Sequence, residues 1–166
     1  MTTTDPNVKT VSTESLSSSD VITNELISDA AAISYVEEIE TVIGSMAVDR
    51  KVMVGQNETG GHRWQFKYGS VEVFVQLTGE TEDDTLTVWA AVLPLPAKNE
   101  GVLMRKLLEM NWLSTYESHF AIVDSNVVVV STRTLAELSA GEISRSITVV
   151  ATIADNYDDA LQAEFG

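Results

Sequence analysis

The sequence predicts an α+β domain in which helices pack against an antiparallel sheet, in the order α-βββ-α-ββ-α. Three observations lead to this fold class. Residues 64–93 contain runs in which apolar and polar side chains alternate, as in half-buried strands. Residues 119–133 are rich in valine and form a further pair of such runs. In the segments 23–47, 99–115 and 139–165, apolar residues recur every three or four positions, which is typical of amphipathic helices.

The N-terminal residues 1–24 predict a flexible tail, because they include eleven Ser or Thr residues and few large apolar side chains. A single domain then occupies residues 25–166. Its first helix is predicted over residues 23–47, with residues 17–20 as a possible start of its cap. The following residues 51–61 predict a loop that contains a short strand at 52–54, ended by the turn-forming Gly60-Gly61.

The pair Gly69-Ser70 predicts a two-residue hairpin turn, and that turn sets a register between the first two long strands. Tyr68 then faces Val71 on the apolar side, and Lys67 faces Glu72 on the polar side. The acidic turn at 79–84 leads to the third strand, in which Leu86 faces Leu77. This register also places Phe74 opposite Trp89 on the otherwise polar side, where the two rings need a cover from a helix of the chain or from a partner.

Pro94 and Pro96 end the third strand, and Asn99 is predicted to cap a second helix that runs to about residue 115. Its apolar face carries Leu103, Leu107 and Met110. A second hairpin is predicted from strands at 119–124 and 127–133, about a turn at 125–126. Both faces of this hairpin are apolar, so it lies centrally against helices or contributes to an interface.

The last helix has a clear start signal. Ser139-Ala140-Gly141-Glu142 is a capping box, and Leu138 before it can pack on Ile143. A stripe of apolar side chains then continues to the C-terminus, formed by Ile143, Ile147, Val150, Ala154, Tyr157, Leu161 and Phe165.

Composition excludes several classes of function. The net charge is −15 and the ten basic residues are scattered, so the sequence does not predict nucleic-acid binding. The absence of cysteine excludes disulfides and thiolate metal sites and is compatible with a reducing cytoplasm. Without an apolar run of about 18 residues or a basic-then-apolar N-terminus, we expect a cytoplasmic protein without a membrane segment.

The sequence contains only weak candidates for a metal-binding or catalytic site. Asp155, Asp158 and Asp159 could present carboxylates to a divalent ion, but a solvated helix face explains them better. Their position towards the helix C-terminus is unfavourable for negative charge, which a basic partner would offset. His62 and His119 have no metal-ligand spacing. We therefore expect no metal, no cofactor and no catalytic residues.

Several segments resemble the YbjN-like family of bacterial proteins of uncharacterised function, and the chain looks like a cyanobacterial-type member. These segments are Leu107-Leu108-Glu109-Met110-Asn111-Trp112, Phe120-Ala121-Ile122, the valine strand and Ala154-Asp155-Asn156-Tyr157-Asp158. The resemblance covers roughly residues 29–166. It implies the fold of type III secretion chaperones, which are small acidic proteins that dimerise and hold partner polypeptides. It implies no active-site motif.

The leading hypothesis is a non-enzymatic, homodimeric protein-interaction or chaperone-like domain, whose acidic charge favours a basic protein partner. The candidate partner or dimer surface consists of Phe74, Trp89, Phe120, Ile122 and Val129. One alternative is a small-molecule sensor or an enzyme with a buried carboxylate of raised pKa. Another is an acidic mimic of nucleic acid that occupies a basic groove.

Overall fold

The computed structural model describes residues 34–47, 53–56 and 61–166. It contains three helices, α1 (Tyr35–Met46), α2 (Glu100–Leu113) and α3 (Ala140–Phe165). Its strands are β1 (Met53–Gln56), β2 (His62–Tyr68), β3 (Val71–Leu77), β4 (Thr85–Pro94), β5 (His119–Val123) and β6 (Asn126–Thr134). The predicted tail at residues 1–24 lies outside the described residues.

The six strands form one antiparallel sheet in the order β1-β2-β3-β4-β6-β5. The predicted registers are confirmed, since Tyr68 pairs with Val71 and Leu77 pairs with Leu86. Gly69 has a φ of +53°, as the predicted turn requires, because L side chains rarely adopt that backbone conformation. The α+β class is therefore confirmed. The element order is as predicted once the short strand predicted at 52–54, which the structure has as β1, is counted with the three long strands.

One face of the sheet is buried beneath the helices. The strand side chains on this face include Trp64, Val75 and Val88, all inaccessible to solvent. They form one core cluster with Ile39 and Ile43 of α1, Leu103 and Leu107 of α2 and the predicted apolar stripe of α3. On the opposite face, the side chains of β2, β3 and β4 are half-buried or exposed. A sheet with one solvated face is the usual arrangement for antiparallel strands.

The first helix differs from its prediction. A continuous helix over residues 23–47 was expected, but Ser34 has an extended backbone and acts as the N-cap, its hydroxyl accepting a hydrogen bond from the Glu37 N–H. The described helix therefore begins at Tyr35. A serine side chain competes well for the unsatisfied N–H groups of a first turn, and this local preference overrides the longer apolar period. The predicted cap at residues 17–20 and the predicted helical residues 23–33 lie outside the described part of the chain.

Two other predictions differ from the structure in detail. Asn99 occupies the N-cap position of α2 but has a left-handed backbone, and its side chain makes no capping hydrogen bond. The second hairpin turns at Asp124-Ser125, one residue earlier than predicted, because both residues have positive φ values of 47° and 58°. Two left-handed residues form the type of turn whose twist matches that of the flanking strands. The shift leaves apolar residues on both faces of the hairpin, as predicted.

Helix α3 begins as predicted. The Ser139 hydroxyl accepts a hydrogen bond from the Glu142 N–H, and the Glu142 carboxylate accepts one from the Ser139 N–H. The predicted stripe along the helix is buried, except that Tyr157 is half-buried.

Candidate protein-binding surfaces

The five predicted surface residues lie in three different environments. Phe74 and Trp89 are half-buried on the solvated face of the sheet. Ile122 lies near the end of β5 and is 55% exposed. Phe120 and Val129 lie in the core, with 7% and 0% of their surface exposed. The Phe120 ring packs edge-on against Tyr157 of α3, at 6.3 Å between ring centroids.

Phe74 and Trp89 form a stacked pair, with ring centroids 5.3 Å apart and planes inclined by 14°. The guanidinium of Arg63 lies over both rings, 5.4 Å from the Phe74 centroid and 5.0 Å from the Trp89 centroid. A cation over an aromatic face is attracted by the ring quadrupole. The cover that the sequence required is thus partly supplied by an arginine of the neighbouring strand. In the described residues no helix packs on this side.

We call this region the sheet-face site and define it by Arg63, Gln65, Phe74, Trp89 and Val130. Strand pairing places Gln65, Phe74, Trp89 and Val130 side by side in one row across four strands. Aromatic residues and arginine are enriched where proteins bind one another, because they bury a large area at low cost in conformational entropy.

A second apolar surface, which the sequence pattern did not predict, lies on α2. Leu108, Trp112 and Leu113 are 70%, 89% and 77% exposed, although Leu103 and Leu107 of the same helix are buried. Tyr116, just after the helix, is exposed as well. The signal in the sequence is that α2 carries apolar residues around most of its circumference, whereas a surface helix has one apolar stripe.

Two side-chain hydrogen bonds fix α2 along the edge of the sheet. The Asn111 amide oxygen accepts a hydrogen bond from the Phe120 N–H at 2.7 Å, and its NH₂ group donates to the Phe120 carbonyl at 3.4 Å. Phe120 belongs to β5, the last strand of the sheet. The Asn111 amide therefore takes the place of a neighbouring strand at this edge. Backbone N–H and C=O groups left unpaired at a sheet edge can pair with a strand of another chain.

Two of the three acidic residues that the sequence analysis named on α3, Asp155 and Asp158, have a local partner. Asp155 accepts hydrogen bonds from the N–H and the hydroxyl of Ser70, at 2.8 and 3.0 Å. Asp158, which is 5% exposed, lies 2.8 Å from the same hydroxyl. These contacts attach the β2–β3 turn to α3. They give a structural reason for two carboxylates whose position had suggested a basic partner.

The carboxyl groups with shifted pKa values all shift downward. The Ser139 N–H and the Arg133 guanidinium lower the pKa of Glu142 from 4.5 to about 2. A hydrogen bond from Arg145 lowers the pKa of Glu117, and hydrogen bonds from Thr81 and Thr78 lower that of Asp84. Each of these groups is a carboxylate tied to a cap, a turn or an ion pair, whereas a catalytic acid requires a raised pKa.

Within residues 34–47, 53–56 and 61–166, no three His, Asp or Glu side chains come together as a metal site. No helix in these ranges is long and apolar enough to cross a bilayer.

The chain is similar to a chain in the crystal structure of the ExsC–ExsE complex, with a TM-score of 0.54 and 19% sequence identity. The match covers 76% of this chain and 92% of that chain. A model of the YbjN family, described as "Putative bacterial sensory transduction regulator", matches residues 35–163. The chain belongs to the YbjN family. A comparison with curated proteins gave no match.

Proposed function

We propose that this protein is a non-enzymatic, chaperone-like binding domain that acts as a cytoplasmic homodimer and holds a segment of another protein. The observation that carries the proposal is the half-buried Phe74–Trp89 stack on the solvated face of the sheet. Apolar side chains are exposed elsewhere on the protein as well. Eight large apolar side chains of the described residues are between 44% and 89% exposed. Surfaces of this kind mark interaction sites, since water disfavours contiguous apolar area. The chaperone-like fold supports the same role by analogy.

In this proposal the sheet-face site holds the client. A client side chain packs beside the Phe74–Trp89 stack, and the Arg63 guanidinium over the two rings offers hydrogen-bond donors next to it. The adjoining β3–β4 turn carries the exposed acidic residues Glu80, Glu82 and Asp83, in a chain whose net charge is −15. These charges favour a basic client and speed its encounter at low ionic strength.

The test uses three synthetic peptides with the same apolar residues and with basic, neutral or acidic residues between them. We expect fluorescence anisotropy to show binding of the basic peptide, weakened by salt. The variant with Phe74→Ser and Trp89→Ser should lose this binding and keep the circular dichroism spectrum of the folded protein. Val102→Ser, which changes an exposed side chain on α2, is the matched control.

Equal binding by the double variant and the parent protein would remove the sheet-face site from the proposal. Static light scattering tests the homodimer separately, and a monomer at all concentrations would refute that part.

A further inference from the structure

An open hollow of about 360 Å³ adjoins the sheet-face site where β1 pairs with β2. It is lined by Val54, Gly55, Arg63, Trp64, Gln65 and Phe74. Gly55 is the β1 partner of Arg63, and a Cβ added to Gly55 would meet no atom within 4 Å. The position beside Arg63 in the sheet therefore carries no side chain, which leaves the hollow open next to the Arg63 guanidinium.

Arg63 differs from the other arginines that the structure describes. Arg105, Arg133 and Arg145 each form an ion pair with a glutamate. Arg63 forms no ion pair with a carboxylate of the described residues, although the chain contains 25 Asp and Glu residues. A guanidinium donates hydrogen bonds from several N–H groups, and its planar shape matches the two oxygens of a carboxylate. Arg63 is thus a donor suited to an acidic group from outside the domain.

The sheet face around Arg63 is locally positive, in a chain whose net charge is −15. In strands β2, β3 and β4, this face carries the cations Arg63 and Lys67 and a single carboxylate, that of Glu72. Glu72 lies opposite Lys67, and its carboxylate accepts a hydrogen bond from Gln65 at 2.8 Å. The carboxylate of this face is therefore engaged two rows away from Arg63, and no acid of these three strands balances the Arg63 charge.

The two aromatic rings hold the Arg63 guanidinium in place. It lies 5.4 Å from the Phe74 centroid and 5.0 Å from the Trp89 centroid. An arginine that is already held loses little conformational entropy when it binds a carboxylate. The rings also exclude water from one side of the guanidinium, which strengthens an ion pair relative to one in open solvent.

We propose that the hollow beside Arg63 takes the carboxylate of a glutamate or aspartate side chain of the client protein. Phe74 lines the hollow and also belongs to the aromatic stack, so one bound segment can place an apolar side chain on the stack and an acidic one at Arg63. The inference rests on the proposed client binding and adds one acidic position to a client that is otherwise basic. This ion pair sets the register of the client on the sheet, because charge pairs fix which groups meet.

The test uses the basic peptide of the proposed function, made with one Glu or one Gln at each position between its apolar residues in turn. At one position, the Glu peptide should bind about three- to tenfold more tightly than the Gln peptide in fluorescence anisotropy. Arg63→Gln should abolish this preference. Lys67→Gln is the matched control, because it removes one positive charge from the same strand and face, and it should keep the preference.

A charge exchange tests direct contact. Arg63→Glu should bind the peptide with Lys at the same position about three- to tenfold more tightly than the peptide with Glu there. A change in the overall field of the protein would act on every position of the peptide, so a reversal confined to one position identifies the contact. Arg63 and Lys67 are both exposed, and circular dichroism checks that the variants are folded.

Equal binding of the Glu and Gln peptides at every position, with the basic peptide still bound, would overturn the Arg63 pairing and leave the proposed function standing. Absence of binding by every peptide to the folded protein would refute both. Displacement of the bound Glu peptide by free glutamate at millimolar concentration would show that the hollow holds a small molecule, and would overturn its assignment to a client side chain.

Discussion

Asn111 of helix α2 pairs with the backbone of Phe120 through both its oxygen and its NH₂ group, and so it serves as the outer neighbour of strand β5. Phe120 is at the same time the edge-strand residue whose ring packs against Tyr157. One amide thus holds the helix, the sheet edge and a core aromatic residue in register. The alternating sequence predicted the strand, but no local pattern predicted its side-chain partner.

Asn111→Ala should lower the free energy of unfolding by about 1–3 kcal/mol, because the N–H and carbonyl of Phe120 lose their partner at a half-buried position. Urea unfolding followed by circular dichroism measures the change. Asn156→Ala, an exposed position on α3, is the matched control and should change stability by less than about 0.5 kcal/mol. Equal effects of the two substitutions would contradict a specific role for Asn111.

The two sides of α2 should respond differently to the same substitution. Leu103→Ala opens a cavity in the core and should cost about 2–5 kcal/mol, since Leu103 is fully buried. Leu108→Ala removes an exposed side chain and should cost less than about 0.5 kcal/mol in the monomer. Denaturant unfolding at low protein concentration gives both values. A large loss for Leu108→Ala under those conditions would show that its side chain is buried within the monomer.

Gly69→Ala should destabilise the β2–β3 turn for two reasons. The φ of +53° is unfavourable for alanine, and the added Cβ would lie 1.9 Å from the Asp155 carboxylate oxygen. We expect a loss of at least about 1 kcal/mol. Gly44→Ala makes the same change inside α1, where a Cβ meets nothing within 4 Å, and should stabilise the protein by about 0.5–1 kcal/mol. Thermal unfolding of the two variants should therefore shift in opposite directions.

The capping box of α3 should make stability depend on pH in the acid range. The folded pKa of Glu142 is about 2 and lies below its ordinary value of 4.5. For a depressed carboxyl pKa, the stabilisation is complete above pH 4.5 and is lost as the pH falls towards 2. Glu142→Gln should flatten the plot of unfolding free energy against pH within that window. An unchanged slope would show that the cap does not depend on the charge of Glu142.

The strand registers could be predicted from the sequence because alternation has a period of two residues and the turn at Gly69-Ser70 fixes the pairing. The start of α3 could be predicted because a capping box is a contact within four residues. The predicted continuity of the first helix was wrong at Ser34, where a serine cap interrupts an apolar period that continues through it. The predicted start near residue 23 lies outside the described residues. The exposure of Trp112 was not predicted. When a helix has apolar residues around most of its circumference, its sequence does not indicate which side packs against the core.

The sequence by itself determined the fold class, the element order and the faces of the strands, because these follow from periodicity and turn chemistry over a few neighbouring residues. Only the tertiary structure decided which apolar faces are covered. Phe120 and Val129 are buried beneath the helices, whereas Leu108 and Trp112 are exposed to solvent. The Phe74–Trp89 stack lies beneath the Arg63 guanidinium. Burial is a property of elements that are distant in the chain and meet only after folding, so a local pattern cannot specify it.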